Sequence, residues 1–201
     1  MKEIYLVFSD TGTWLSKLIR MFTKEKYNHV SIAFDEDLRE MYSFGRKHKR
    51  NPFIGGFVME DVHGSLFKEA SCEIYKCEVS LSGYGKMRDR ALEIRKECES
   101  YSYNFLGLFG VLFNKRWERK SKLFCSQFVS TILREAKELG IEKEPCLTTP
   151  ADIAQLDALQ FIYTGKLMNY TNDWYGQPRG LLSEHREILI PYRRDVNLRS
   201  S

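Results

Sequence analysis

The strongest pattern in the chain is an amphipathic stretch that opens on a cysteine. From Cys125, the residues Phe128, Val129, Ile132, Leu133 and Ala136 return to one side at steps of three and four, the period of a single helical face. Gly140 follows as a stop signal, so the spacing predicts a helix over 125–139. A face this apolar has to be buried against a second layer. Short β-type runs are what the rest of the chain offers for that layer.

Those runs lie at Ile4 to Phe8, His29 to Phe34, Leu38 to Phe44, Phe57 to Val62, Glu73 to Val79, Leu159 to Tyr163 and Ile188 to Ile190. Helical spacing recurs at Leu15, Leu18, Ile19 and Phe22, and again over Gly83 to Glu99 with Met87, Ala91, Ile94 and Cys98 on one stripe. Thr149-Pro150-Ala151-Asp152 reads as a helix start, with an N-cap threonine, proline at the first position and an acid at the third. Strands and helices do not alternate regularly, so the expected class is α+β, in one domain over 1–201. No repeat or linker interrupts it.

Composition removes several classes. Apolar residues are 43% and aromatics 13% of the chain, which excludes a disordered polymer. The net charge of +4 is too small to argue for nucleic acid, and none is expected as a partner. The longest apolar run, Phe105 to Phe113, has nine residues, whereas a spanning helix needs about 20. The N-terminal MKEIYLVFSD lacks a secretory pattern. Five cysteines, Cys72, Cys77, Cys98, Cys125 and Cys146, form an odd count unlike a disulfide framework. A reduced, cytoplasmic protein is the expectation.

Two positions carry candidate chemistry. Cys125 starts its helix, where unpaired N–H groups and partial positive charge favour a thiolate. His29 starts its strand. Each alone has an ordinary explanation, a buried cysteine on an apolar face and a hydrogen-bonded structural histidine. Together they match a nucleophile and its base.

The stretches YNHVSIAFD (Tyr27 to Asp35), MYSFGRK (Met41 to Lys47), FCSQFVSTIL (Phe124 to Leu133) and TPAD (Thr149 to Asp152) resemble the permuted papain-fold amidases of the NlpC-type superfamily, the YaeF/YiiX-like group. Lecithin:retinol acyltransferase-like proteins are more distant relatives. The resemblance runs from the first strand to about Gly165. It implies a small antiparallel sheet packed on the Cys125 helix, with Cys125 as nucleophile and His29 as general base of a cysteine amidase or peptidase. His29 precedes Cys125 by 96 positions, the reverse of the papain order, as a circular permutation would give. Substrates implied are peptides, cell-wall fragments or acylated small molecules and lipids.

A base needs a partner to hold its tautomer. If Asp35-Glu36-Asp37 is a three-residue hairpin loop, Phe34 pairs with Leu38 and His29 faces Ser43, making Ser43 the expected orienting residue. A one-residue slip would substitute Tyr42 or Phe44. Glu40, on the opposite face in this register, ranks second. An oxyanion hole must also exist. The backbone N–H of Cys125 is one donor, and Tyr5, Tyr27 or the Ser9 hydroxyl could be another.

Other features have plainer readings. The basic run Arg46 to Arg50, with Asn51-Pro52 after it, is expected to be a solvated loop rather than an anion site. Tyr101 to Phe113, followed by cations from Lys115 to Lys122, could touch a membrane interface or an acyl chain. Core packing is the favoured reading. Cys72 and Cys77 should lie on opposite strand faces and share no metal site, and no set of four ligands can be assembled. No cofactor motif is present.

Overall fold

The computed structural model describes residues 1–10, 26–48, 51–64, 67, 70–97, 102–103 and 122–170. A six-stranded sheet dominates, built from β1 (Lys2–Asp10), β2 (His29–Ala33), β3 (Met41–His48), β4 (Asn51–Met59), β5 (Ser71–Val79) and β8 (Gln160–Lys166). Its spatial order is β4-β3-β2-β1-β5-β8, and every neighbouring pair is antiparallel. Two-residue strands β6 (Ser102–Tyr103) and β7 (Lys122–Leu123) pair parallel beside it. Among the described residues the helices are α1 (Leu81–Lys96), α2 (Cys125–Leu133) and α3 (Pro150–Ala154), with a further helical turn at 167–170. The class is α+β, as expected.

Strand alternation divides the sheet into two buried faces. Ile4, Leu6, Phe8, Val30, Ile32, Tyr42, Phe44, Tyr75 and Cys77 share a core with Met87, Ala91 and Ile94 of α1 and with Phe128, Val129 and Ile132 of α2. The Phe128 ring packs tilted on Phe44 at 5.9 Å and edge-on to Phe57 at 5.7 Å, which ties α2 to β3 and β4. Tyr5, Val7, Ala33, Met41, Cys72 and Ile74 occupy the other face, under Val62, Phe67, Ala70 and Leu167. Cys72 and Cys77 thus lie on opposite faces, as their odd spacing requires.

Capping agrees with the sequence. Ser80 Oγ accepts the Gly83 N–H at 2.9 Å to open α1. At α3, Thr149 Oγ1 accepts the Asp152 N–H at 3.1 Å while Asp152 Oδ2 accepts the Thr149 N–H at 2.7 Å, a reciprocal capping box.

Several expectations need correction. The β2–β3 connection runs over five residues, 35–39, because the Phe34 N–H donates to the Glu40 carbonyl at 3.1 Å. Asp35 stabilises this longer loop by accepting the N–H groups of Arg39 at 2.9 Å and Glu40 at 2.6 Å. Leu38 sits in it at φ 56°, buried rather than on a strand. Pairing is Ile32 with Tyr42 and Ala33 with Met41, two residues away from the anticipated register. An even shift keeps every side chain on its face.

The helix expected over 125–139 ends at Leu133. Ala136 at ψ 89° breaks it, and Gly140, at φ 60°, closes a separate 3₁₀ turn over Lys137–Leu139. The basic run is no free loop in its first half, since Arg46 to His48 extend β3 and Asn51 opens β4. The helix over 15–22, Cys98, most of Tyr101 to Phe113, the cations Lys115 to Lys120 and the strand at Ile188 to Ile190 lie outside the described residues. Among the described residues no helix is long and apolar enough to cross a membrane.

Candidate active site

Cys125 is the first residue of α2 and is 5% exposed. Phe124 precedes it at φ −120° and ψ 170° and provides no side-chain cap. The N–H groups of the first turn therefore face the sulfur's surroundings without an acceptor from the cap position. The helix start is anchored by Ser126 Oγ, which donates to the Thr148 carbonyl at 2.7 Å, and by Ser130 Oγ at 3.4 Å from Thr148 Oγ1. These bonds fix the cysteine at the end of the sheet where β2 begins. Its Sγ lies 4.0 Å from the carbonyl oxygen of Asn28.

The next residue is His29, and the Cys125 side chain lies close enough to its ring to act on it electrostatically. Two residues separated by 96 positions in sequence are brought to the same end of the sheet. On the far side of the ring, Nε2 lies 2.9 Å from Glu60 Oε1. A carboxylate only accepts, so the proton of this bond sits on Nε2. The ring nitrogen outside this bond is Nδ1. Phe67 covers the ring at a centroid distance of 6.4 Å, and the His29 side chain keeps 15% of its surface exposed.

Glu60 follows β4 and is buried, with 6% of its surface exposed. It accepts three hydrogen bonds, from His29 Nε2, from Ser31 Oγ to Oε2, and from Ser43 Oγ to Oε1. Both serines are fully buried. Ser31 Oγ also lies 3.3 Å from His29 Nε2. The backbone makes this cluster, because the Glu60 N–H donates to the Met41 carbonyl at 2.8 Å and extends the β3–β4 ladder past its last strand residue.

Burial alone would strip His29 of its proton. The charge of Glu60, the nearby Cys125 side chain and the hydrogen bond to Glu60 outweigh that and push its pKa up to about 10. Glu60 mirrors it. Burial raises its pKa, but the imidazolium beside it, then the bonds from His29, Ser31 and Ser43, hold the carboxyl below the usual range. The resting site is a buried imidazolium–carboxylate pair with the Cys125 sulfur near the cation. By contrast, burial pushes the Cys72 thiol up to about 12 and the Cys77 thiol up to about 11, so neither is primed to react.

Ser43 lies on the expected face, but its hydroxyl goes to Glu60, and Glu60 is the group that holds the imidazole. Continued through the observed pairing, the register sets Gly45 opposite His29, and a Cβ added to Gly45 would stand 3.6 Å from His29 Cε1. Tyr42 and Phe44 belong to the helix-side core. Glu40 is engaged elsewhere, with Arg88 Nε at 2.9 Å. An open recess of about 390 Å³ near the start of β1, lined by Lys2, Glu3, Asp35 and Glu36 among others, contains none of Cys125, His29 and Glu60.

Glu60 is the residue that sequence reasoning missed. Its signal was an acid inside the apolar run Phe57 to Val62, read only as strand. No group of three or more potential ligands that could hold a metal ion occurs among the described residues. Compared with known proteins, the chain matches no family model, no curated protein and no solved structure.

Proposed function

We propose that the protein is a cysteine hydrolase of permuted papain-like fold that cleaves amide or ester bonds through an acyl-enzyme. The observation that carries this reading is the His29 imidazole bonded through Nε2 to Glu60 Oε1 at 2.9 Å, at the sheet end where Cys125 Sγ lies 4.0 Å from the carbonyl oxygen of the preceding residue, Asn28. Glu60 fixes the tautomer and stabilises positive charge on the ring. The thiol proton resides on His29 as the sulfur attacks the carbonyl, and His29 returns a proton to the leaving group. Water then resolves the thioester. The order of His29 before Cys125, with the cysteine helix against an antiparallel sheet, supports the permuted arrangement. The substrate class is an acylated small molecule, a peptide or a cell-wall fragment.

The test is covalent labelling. Wild-type protein and His29→Ala are treated with limiting iodoacetamide, and modification at Cys125 is followed by peptide mass spectrometry. Labelling of the wild type at least tenfold faster is expected. Equal rates would reduce the site to a non-catalytic module. An acyl group appearing on a supplied amine rather than as free acid would make the reaction a transfer.

A further inference from the structure

We propose that the hydroxyl of Ser9 is the side-chain hydrogen-bond donor to the carbonyl oxygen of the substrate, acting with the backbone N–H of Cys125. This rests on the hydrolase reading above.

Ser9 pairs directly with His29 across β1 and β2, and alternation puts its side chain on the face that carries His29, Ser31 and Ser43. Directly opposed residues in an antiparallel pair have Cβ atoms about 4.5–5.5 Å apart. The hydroxyl is thus one cross-strand step from the imidazole.

Ser9 is fully buried, and its Oγ has no hydrogen-bond partner. Buried hydroxyls are nearly always satisfied, because leaving one unpaired forfeits its hydration without return. Among the described residues, Gln127 Oε1 is the other buried side-chain atom in this condition. It stands two residues after Cys125, roughly 200° around the helix from the sulfur, and does not compete for the role. The phenols that might have served are occupied, Tyr5 by Glu3 Oε2 at 2.7 Å and Tyr27 by Glu73 Oε1 at 3.5 Å. At Cys125 the helix start presents its own uncapped N–H groups, which favour negative charge. An unpaired donor beside the imidazole and a bare helix start at the nucleophile suit an oxyanion.

In the step concerned, the sulfur lone pair forms the S–C bond and the carbonyl π pair moves onto oxygen. Ser9 donates a hydrogen bond to that oxygen and transfers no proton. On collapse the pair re-forms the carbonyl, and the bond to the leaving group breaks.

The test separates reactions that build an oxyanion from one that does not. p-Nitrophenyl acetate acylates Cys125 through a tetrahedral intermediate, whereas iodoacetamide alkylates the same sulfur by direct displacement. Ser9→Ala is expected to slow acylation about 10²–10³-fold, the usual loss for one oxyanion donor, and to leave alkylation unchanged. Ser9→Thr, which keeps a hydroxyl, should retain most of the acylation rate. Thermal melting of Ser9→Ala should be no lower than wild type, since no partner is lost. Unchanged acylation in Ser9→Ala would overturn the proposal, as would an equal fall in both reactions. Alkylation of the wild type that is indifferent to His29→Ala would instead overturn the hydrolase reading.

Discussion

Glu60 Oε1 meets His29 Nε2 at 2.9 Å although the two residues belong to strands separated by β3. The contact spans the middle strand because Ser43, on β3, bonds the carboxylate from beneath. A buried acid and a buried base therefore share one charge-assisted hydrogen bond. Removing one member leaves the other charged without a counter-ion. Glu60→Ala is expected to cost about 3–5 kcal/mol of stability, read from urea denaturation. A loss near zero would show that His29 does not carry its charge in the resting protein.

The pH dependence of stability follows from the same pair. His29 is raised from 6.5 to about 10, so its contribution is complete below about pH 6.5 and is lost as pH rises through about 10. Glu60 is lowered from 4.5, so its contribution is present above about pH 4.5 and disappears as pH falls through the folded-state value. The melting temperature should hold a plateau between these limits and decline on both sides. His29→Gln should flatten the alkaline decline. Titration of the His29 Cε1 proton by NMR gives a direct check, with a midpoint near neutrality counting against the pair.

Cys125→Ser exchanges a sulfur for an oxygen of similar size at the first position of α2. Turnover of any substrate should vanish, while the melting temperature changes little. Serine turnover at the wild-type rate would remove Cys125 from the role of nucleophile.

Ser31 and Ser43 act through Glu60. Ser43→Ala should lower the rate less than His29→Ala, because the imidazole remains and only its carboxylate loosens. Loss of the bond should also raise the Glu60 pKa, moving the acid limb of the pH–rate profile upward, more so in the double variant with Ser31→Ala. Each substitution removes a hydrogen bond to a charged group, worth about 1.5–3 kcal/mol. A rate loss without any displacement of the acid limb would assign the serines to packing alone.

Much of the framework could be read from residue order. The Cys125 face, the Thr149 capping box and the His29 strand are local patterns whose period or spacing repeats within a few residues. Glu60 was hidden for a different reason. Its role depends on a neighbour two strands away, and cross-strand distance leaves no trace in sequence spacing. The five-residue loop was hidden too, since Leu38 holds a left-handed conformation at φ 56° that sequence rules reserve for glycine or asparagine. Ala136 ends α2 without any breaker residue, and its extended ψ follows from burial in the core. The orphaned Ser9 hydroxyl required a census of hydrogen bonds that no string of letters contains.

The loop from Asp35 to Arg39 joins the two strands that bear the imidazole and Ser43. Because pleating has a period of two, insertions or deletions there come in two kinds. A change by a pair slides β3 along β2 and still presents a hydroxyl-bearing face to Glu60. A change by a single residue rotates one strand's side chains to the wrong side, trading Ser43 for an aromatic. Parity of the hairpin, more than its length, decides whether Ser43 faces the carboxylate.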